Sequence, residues 1–233
     1  MDITKYRLHR GDISELSTRF PAFDQFKDAD RFGWHKWVDQ TTGLGYLERM
    51  VLFVGKSGYG KSTTVNALIG RPILETSDVE ACTRECQCLD FHIGNNYWLS
   101  LGDLPGIGES LERDVEYLKL YSDFFSYASA IVHVLRADTR DHAVDEQAVR
   151  HLIQAPELKR KVIYALGQCD KVEPITRHLH QAPTVEQLKN IDLKLREVAK
   201  VFSPHHPVVP YSAETGWNMA VLSNEIVRVA LSE

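Results

Sequence analysis

Val51-Leu52-Phe53-Val54 is an unbroken apolar run that stops at Gly55. A run this short, bounded by glycine, predicts a strand buried on both faces. Residues 64–69 then read as a helix that ends at Gly70. The stretch 86–93 alternates loosely, and 97–101 resumes after Gly94-Asn95-Asn96, a turn signal, so the pair predicts a hairpin. Within 112–128, Val115, Leu118, Tyr121 and Phe124 recur at helical spacing. A buried strand at 130–135, a helix at 144–152 and a strand at 161–166 ending on Gly167 come next. A long amphipathic helix at 184–202, a strand at 208–211 and a helix at 219–231 close the series. Strands alternating with helices predict a parallel sheet covered on both faces, with right-handed crossovers. The expected fold class is α/β: three α/β/α layers and a mostly parallel six-stranded sheet with one antiparallel edge strand from the hairpin. Ligands of such sheets sit at the carboxyl ends of the strands.

Residues 1–47 stand apart from this pattern and are rich in aromatics, including Tyr6, Phe20, Phe23, Phe26, Phe32, Trp34, Trp37 and Tyr46. Residues 24–39 read as one or two short helices interrupted at Gly33. The segment is too short for a core of its own. It is expected as a helical extension packed on a main domain at 48–233, with a docking surface around the two Trp and Lys36 as the sharper alternative.

The bulk composition excludes more than it identifies. With 233 residues, 43% of them apolar and 25% charged, the chain has the makings of an ordinary globular domain. A net charge of −5 provides no global basic field for nucleic acid. No apolar run approaches the roughly 20 residues that span a bilayer. The opening M-D-I-T-K-Y-R-L-H-R lacks a continuous apolar core, so a secretory signal is not expected and the expected location is cytoplasmic. Cys82, Cys86, Cys88 and Cys169 lack a second pair in register for a metal site and read as reduced thiols.

The chemistry begins where the first strand ends. Gly55-Lys56-Ser57-Gly58-Tyr59-Gly60-Lys61-Ser62-Thr63 satisfies G-x-x-x-x-G-K-[ST], with a strand before it and a helix after it. Glycines let successive N–H groups turn inward around a phosphate, and the helix start adds unpaired N–H groups. Lys61 supplies a point charge for the β/γ oxygens, and Ser62 a hydroxyl for Mg²⁺. Asp103-Leu104-Pro105-Gly106 has the form D-x-x-G at a strand end. Asp103 is placed to hold Mg²⁺ through water, and the Gly106 N–H to sense a γ-phosphate.

Gly167-Gln168-Cys169-Asp170 resembles the guanine-specificity motif [N/T]-[K/Q]-x-D. In that reading the Asp170 carboxylate accepts from guanine N1–H and N2–H₂, which adenine cannot offer, and the Gln168 stem lies under the base. Ser212-Ala213-Glu214 resembles the loop whose backbone N–H meets guanine O6, and Thr83 resembles the first-switch threonine that ligates Mg²⁺.

With all five elements in order, the chain from about residue 48 resembles the translation-factor class of P-loop GTPases, close to the Era and septin-like groups and to small bacterial ribosome-binding-type GTPases. S-D-V-E-A-C-T-R-E, D-L-P-G-I-G-E-S, R-D-V-E-Y, R-A-D-T-R, A-V-D-E-Q and H-P-V-V-P-Y-S-A-E-T-G-W carry that resemblance. It implies a Mg²⁺-dependent, GTP-hydrolysing switch with Lys61, Thr83 and Gly106 as its catalytic positions. It also implies GTP/GDP binding and a macromolecular effector, the ribosome among the candidates. Three positions depart from the family. Gly58 stands where relatives of Era carry an Asn for a catalytic K⁺, and this matches GTPases that pair across their nucleotide faces. Ile107 follows D-x-x-G where the Ras type has a water-positioning Gln, so slow intrinsic hydrolysis is expected, completed by a homodimer, another partner or another side chain. Arg84, Glu109 and Arg113 are candidates for that by position. Gly167 replaces Asn or Thr and removes a side chain that ties the base-reading loop to the phosphate loop, so weaker binding is expected. A P-loop ATPase or kinase, and a module that binds nucleotide with little hydrolysis, are the alternatives.

Overall fold

The computed structural model describes residues 6–30, 32–39, 42–76, 85–108, 111–139, 147, 151–175 and 182–232. The expected strand at 51–54 is the end of a longer one, β3 (Gly45–Val54), whose residues from Met50 to Val54 are all buried. Its alternate residues feed two different cores. Val51 and Phe53 join one cluster, and Met50, Leu52 and Val54 join the other. β5 (Tyr97–Asp103) and β6 (Ala128–Arg136) flank β3 in parallel, and β7 (Val162–Gly167) and β8 (Val209–Pro210) extend the sheet beyond β6. Helices α2 (Lys61–Ile69) and α6 (Met219–Leu231) pack on the first face. Helices α3 (Leu111–Phe125) and α5 (Val185–Phe202) pack on the second, and the short α4 (Pro156–Lys161) leads into β7. The three-layer, mostly parallel α/β architecture is therefore the expected one. α5 begins with a reciprocal capping box, Thr184 with Gln187, at the position where the helix was expected to start. The helix expected at 144–152 falls largely outside the described residues.

The N-terminal segment corrects the expected helical extension and the strand count. Residues Arg7–Asp12 form β1, parallel to β4 (Gln87–Gly94), and His35–Val38 form β2, antiparallel to the first half of β3. Between them lie a single α-turn, α1 (Ser14–Ser17), and a 3₁₀ stretch at Pro21–Lys27. Among the described residues the sheet thus has eight strands, and the antiparallel β4 lies inside it with β1 on its outer side. The physical reason is pairing over long sequence separation. β4 would otherwise present an open row of backbone groups, and β1, alternately half-buried and exposed, covers it. The aromatics of this segment do pack on the main body. Phe20, Phe23 and Phe26 share a cluster with Val51, Phe53 and Leu222.

Arg7 fastens β1 from inside. Its guanidinium donates to Asp90, to Glu48 at 2.9 Å and to the Tyr46 hydroxyl at 2.7 Å. The Ser100 hydroxyl is within reach of both carboxylates, at 2.5 Å from Glu48. Glu48, Asp90 and Ser100 are fully enclosed.

Candidate functional site

The site is built at the carboxyl ends of β3, β5, β7 and β8. β3 ends at Val54, and Gly55 turns the chain with φ 135°. A Cβ there would stand 2.4 Å from the Val134 carbonyl oxygen, so the loop passes β6 only as glycine. Gly58 and Gly60 also hold positive φ, 75° and 91°. Tyr59 turns into the core and anchors the loop between them. α2 starts at Lys61 with Gly60 as its N-cap, and no side chain among the described residues caps it. Its first-turn N–H groups therefore face the loop with the positive end of the helix. The Lys61 ammonium is buried and donates to the carbonyls of Gly55 at 3.3 Å and Lys56 at 3.2 Å.

D-x-x-G lies against this loop. Ser57 N–H donates to the Ile107 carbonyl at 3.0 Å, and Ile107 N–H to the Gly55 carbonyl at 3.3 Å. Gly106 is packed so closely that a Cβ would meet Ser57 backbone at 2.5 Å and Lys61 Nζ at 2.9 Å. The Ser62 hydroxyl donates to Asp103 Oδ2 at 2.5 Å, and Asp103 is wholly buried. A hydroxyl and a carboxylate, both hard oxygen donors, thus converge beside a buried ammonium. That donor set suits Mg²⁺, which takes oxygen ligands and keeps several waters. Ile107 turns its side chain away, into the cluster with Leu104, Tyr117 and Tyr121. Thr83, Arg84 and Glu109 lie outside the described residues, and Arg113 is exposed on α3.

The base-reading elements meet on the neighbouring loops. Gln168 adopts left-handed backbone, φ 58°, and Asp170 follows in a short 3₁₀ turn. The Ser212 hydroxyl donates to Asp170 Oδ1 at 2.7 Å and accepts from Thr215 N–H at 3.2 Å. Ser212 thereby orients the carboxylate, while Ala213 is half-buried and Glu214 exposed in the same loop. Gln168 Nε2 reaches the Gly58 carbonyl at 3.4 Å, and its Oε1 accepts from Lys171 Nζ at 2.7 Å. The side chain missing at Gly167 therefore does not leave the two loops untied. Sequence reasoning passed over Lys171, Thr64 and Tyr211, of which the last two form a second tie. Only the bare glycine at 167 hinted that something else fills its place.

Of the four cysteines, Cys82 lies outside the described residues. Cys86 and Cys88 are buried with sulfurs 3.7 Å apart, and burial above all pushes the Cys86 thiol up. Among the described residues no group of three or more His, Cys, Asp or Glu could hold a metal ion.

A family model described as 50S ribosome-binding GTPase matches residues 50–168, half of the chain. The chain belongs to this GTPase family. Similar proteins agree with that placement. The probable GTP-binding protein EngB of Hyphomonas neptunium is 31% identical over 83% of this chain and 86% of its own length. The uncharacterized protein YkfA of Escherichia coli is 34% identical over 82% of this chain, which spans 65% of that relative's length. A solved structure of the chloroplast translocon components atToc33 and psToc159 shares the fold, with a TM-score of 0.65 at 21% identity over 97% of each chain. It is described under the statement that dimerization is important for their GTPase activity. Family membership accounts for the phosphate loop and D-x-x-G, which lie inside the matched stretch. Asp170 and Ser212 lie beyond it. No helix among the described residues is long and apolar enough to cross a membrane.

Proposed function

We propose that this chain binds GTP with Mg²⁺ and hydrolyses it to GDP and phosphate as a molecular switch, slowly by itself and faster when a second copy docks across the nucleotide face. One observation carries the reading. The Ser62–Asp103 couple stands beside buried Lys61 at an uncapped helix start, and the next loop holds Asp170 in the grip of Ser212.

Lys61 and the N–H groups of Gly55, Lys56, Ser57, Gly58, Tyr59, Gly60, Ser62 and Thr63 hold the phosphates. Ser62 and Asp103 hold Mg²⁺, with Thr83 as the third residue proposed for it. When bound, the ion neutralises charge that develops on the phosphate oxygens. Asp170 accepts from the guanine edge, Gln168 supports the base, and the Ser212-Ala213-Glu214 backbone meets O6. Water attacks the γ-phosphorus, and the bond to the β-phosphate oxygen breaks. The Gly106 N–H faces the transferred group and registers its loss. Orienting that water is the step this chain leaves undone, because Ile107 is an alkyl group turned into the core. The dimerization statement for the translocon GTPases supports a second copy as the partner. The family description makes the large ribosomal subunit the first effector to test in a pull-down with a non-hydrolysable GTP analogue.

Binding is tested by competing ATP against labelled GTP, where comparable affinities would sink the guanine reading. Asp170→Asn should shift preference toward XTP by about tenfold or more, since two bonds to a charged acceptor are rearranged. Turnover per molecule should rise with protein concentration and be the same in KCl and NaCl, because Gly58 offers no side-chain ligand for K⁺. The buried Ile107 favours one second reading, a module that binds nucleotide with little hydrolysis. Single-turnover hydrolysis at high protein concentration separates the two.

A further inference from the structure

Gly167 is the last residue of β7, and the base-reading loop hangs from it. The space where its side chain would stand is occupied. A Cβ at 167 would lie 2.9 Å from the Tyr211 hydroxyl oxygen and 3.0 Å from the ring carbon that carries it. Tyr211 is itself fully buried, one residue beyond β8. We propose that Tyr211 is a positioning residue that locks the base-reading loop to the phosphate loop, and so sets how long a guanine nucleotide stays bound.

The chain of bonds supports this at both ends. Thr64 has one hydroxyl proton, and it goes to the Gly60 carbonyl at 2.7 Å. The 2.7 Å contact between Thr64 Oγ1 and the Tyr211 hydroxyl is therefore one in which the phenol donates. Gly60 is the N-cap of α2, so phenol, threonine and carbonyl form a relay that ends in the phosphate loop. At the other end, Tyr211 N–H donates to the Leu166 carbonyl at 2.9 Å, and its own carbonyl accepts from Cys169 N–H at 3.1 Å. The residue thus brackets the base-reading loop with its main chain and reaches the phosphate loop with its ring. Ser212, which orients Asp170, is its neighbour. Desolvation pushes the phenol up, so it remains a donor throughout the neutral range. A nucleotide spans both loops, and fixing their separation beforehand removes an ordering cost from binding.

This inference rests on the guanine-nucleotide reading of the site, and its test has an arm independent of nucleotide. Tyr211→Phe keeps the ring and loses the donor. In the nucleotide-free protein, hydrogen exchange at amides 168–171 and 58–61 should quicken, with other regions unchanged. Release of a fluorescent GDP should quicken about three- to tenfold, as the loss of one buried hydrogen bond predicts. Thr64→Val should do the same. Tyr211→Phe with Thr64→Val should be no faster than either alone, since both break one relay. Gly167→Asn should quicken release by displacing the ring, and adding Tyr211→Ser to it should bring release back toward the wild-type rate. The proposal is overturned if Tyr211→Phe and Thr64→Val leave exchange at both loops unaltered, or if their effects multiply. A wild-type chain that binds no guanine nucleotide overturns the reading of the site, and exchange in the unliganded protein still judges the relay.

Discussion

Two buried polar clusters share this sheet and use charge in opposite ways. Toward the amino end of β3, Arg7 meets Glu48 and Asp90, with Ser100 between the carboxylates. There, charges from three strands and a hydroxyl from a fourth answer one another and bind β1 to the rest. At the carboxyl end of β3, the Lys61 ammonium rests on main-chain carbonyls, and Asp103 accepts from a neutral serine. Glycines surround it where side chains would fill the concavity. The first cluster spends its polarity on holding the chain. The second, in the function proposed above, is completed by an anion and a hard cation. Burial alone does not separate the two uses, but the kind of neighbour does.

The sharpest way to break the comparison is at Arg7. Arg7→Met leaves Glu48 and Asp90 enclosed without their cation, and losing one side of a buried ion pair costs about 3–5 kcal/mol. Urea unfolding should show that loss, while protein that remains folded should bind GDP as before. An unchanged midpoint would mean that the cluster does not hold β1. Lys61→Ala should give the reverse result. Its melting by circular dichroism should stay near wild type, and GDP affinity should fall on the order of 10²-fold or more, within the range for truncating a buried charged partner. Unfolding of this variant would make Lys61 a structural residue.

The smallest effect concerns pH. Burial, more than the opposing attraction of Arg7, holds the Glu48 carboxyl above its ordinary value of 4.5. Just above pH 4.5 the folded chain therefore holds on to a proton there that the unfolded chain has begun to release. This residue favours the fold most below about pH 4.5 and loses that contribution as pH rises through its folded pKa. Glu48→Gln should flatten this part of the stability profile, measured by urea midpoints between pH 5 and 8. A profile that keeps its slope would assign it to another group.

The phosphate loop was legible in sequence because its function demands special backbone. Gly55, Gly58 and Gly60 all hold positive φ, and no other residue type serves equally well there. The core strands were legible because burial on both faces leaves a continuous apolar run. β1 was not, because R-L-H-R-G-D is mostly polar and becomes a strand only through pairing with β4, some 80 residues away. Its Arg7 looks like a surface residue until Glu48 and Asp90 are placed beside it. β2 has four residues and gives no period to read. The Tyr211 tie was equally hidden, since the relation between residues 64, 167 and 211 exists only after β7 and β8 are side by side.

The inward position of β4 bears on how the chain can be divided. The stretch recognised as the family's runs from residue 50 to residue 168. It excludes Arg7, β1 and β2 on one side, and Asp170, Tyr211, β8 and α6 on the other. Excised at those bounds, it would carry Asp90 without its arginine, leave β4 as an open edge, and strip the apolar face that α6 covers. What descent has kept recognisable is thus smaller than what must be inherited together for the chain to fold, and a transplant of this domain into another protein has to take the flanks with it.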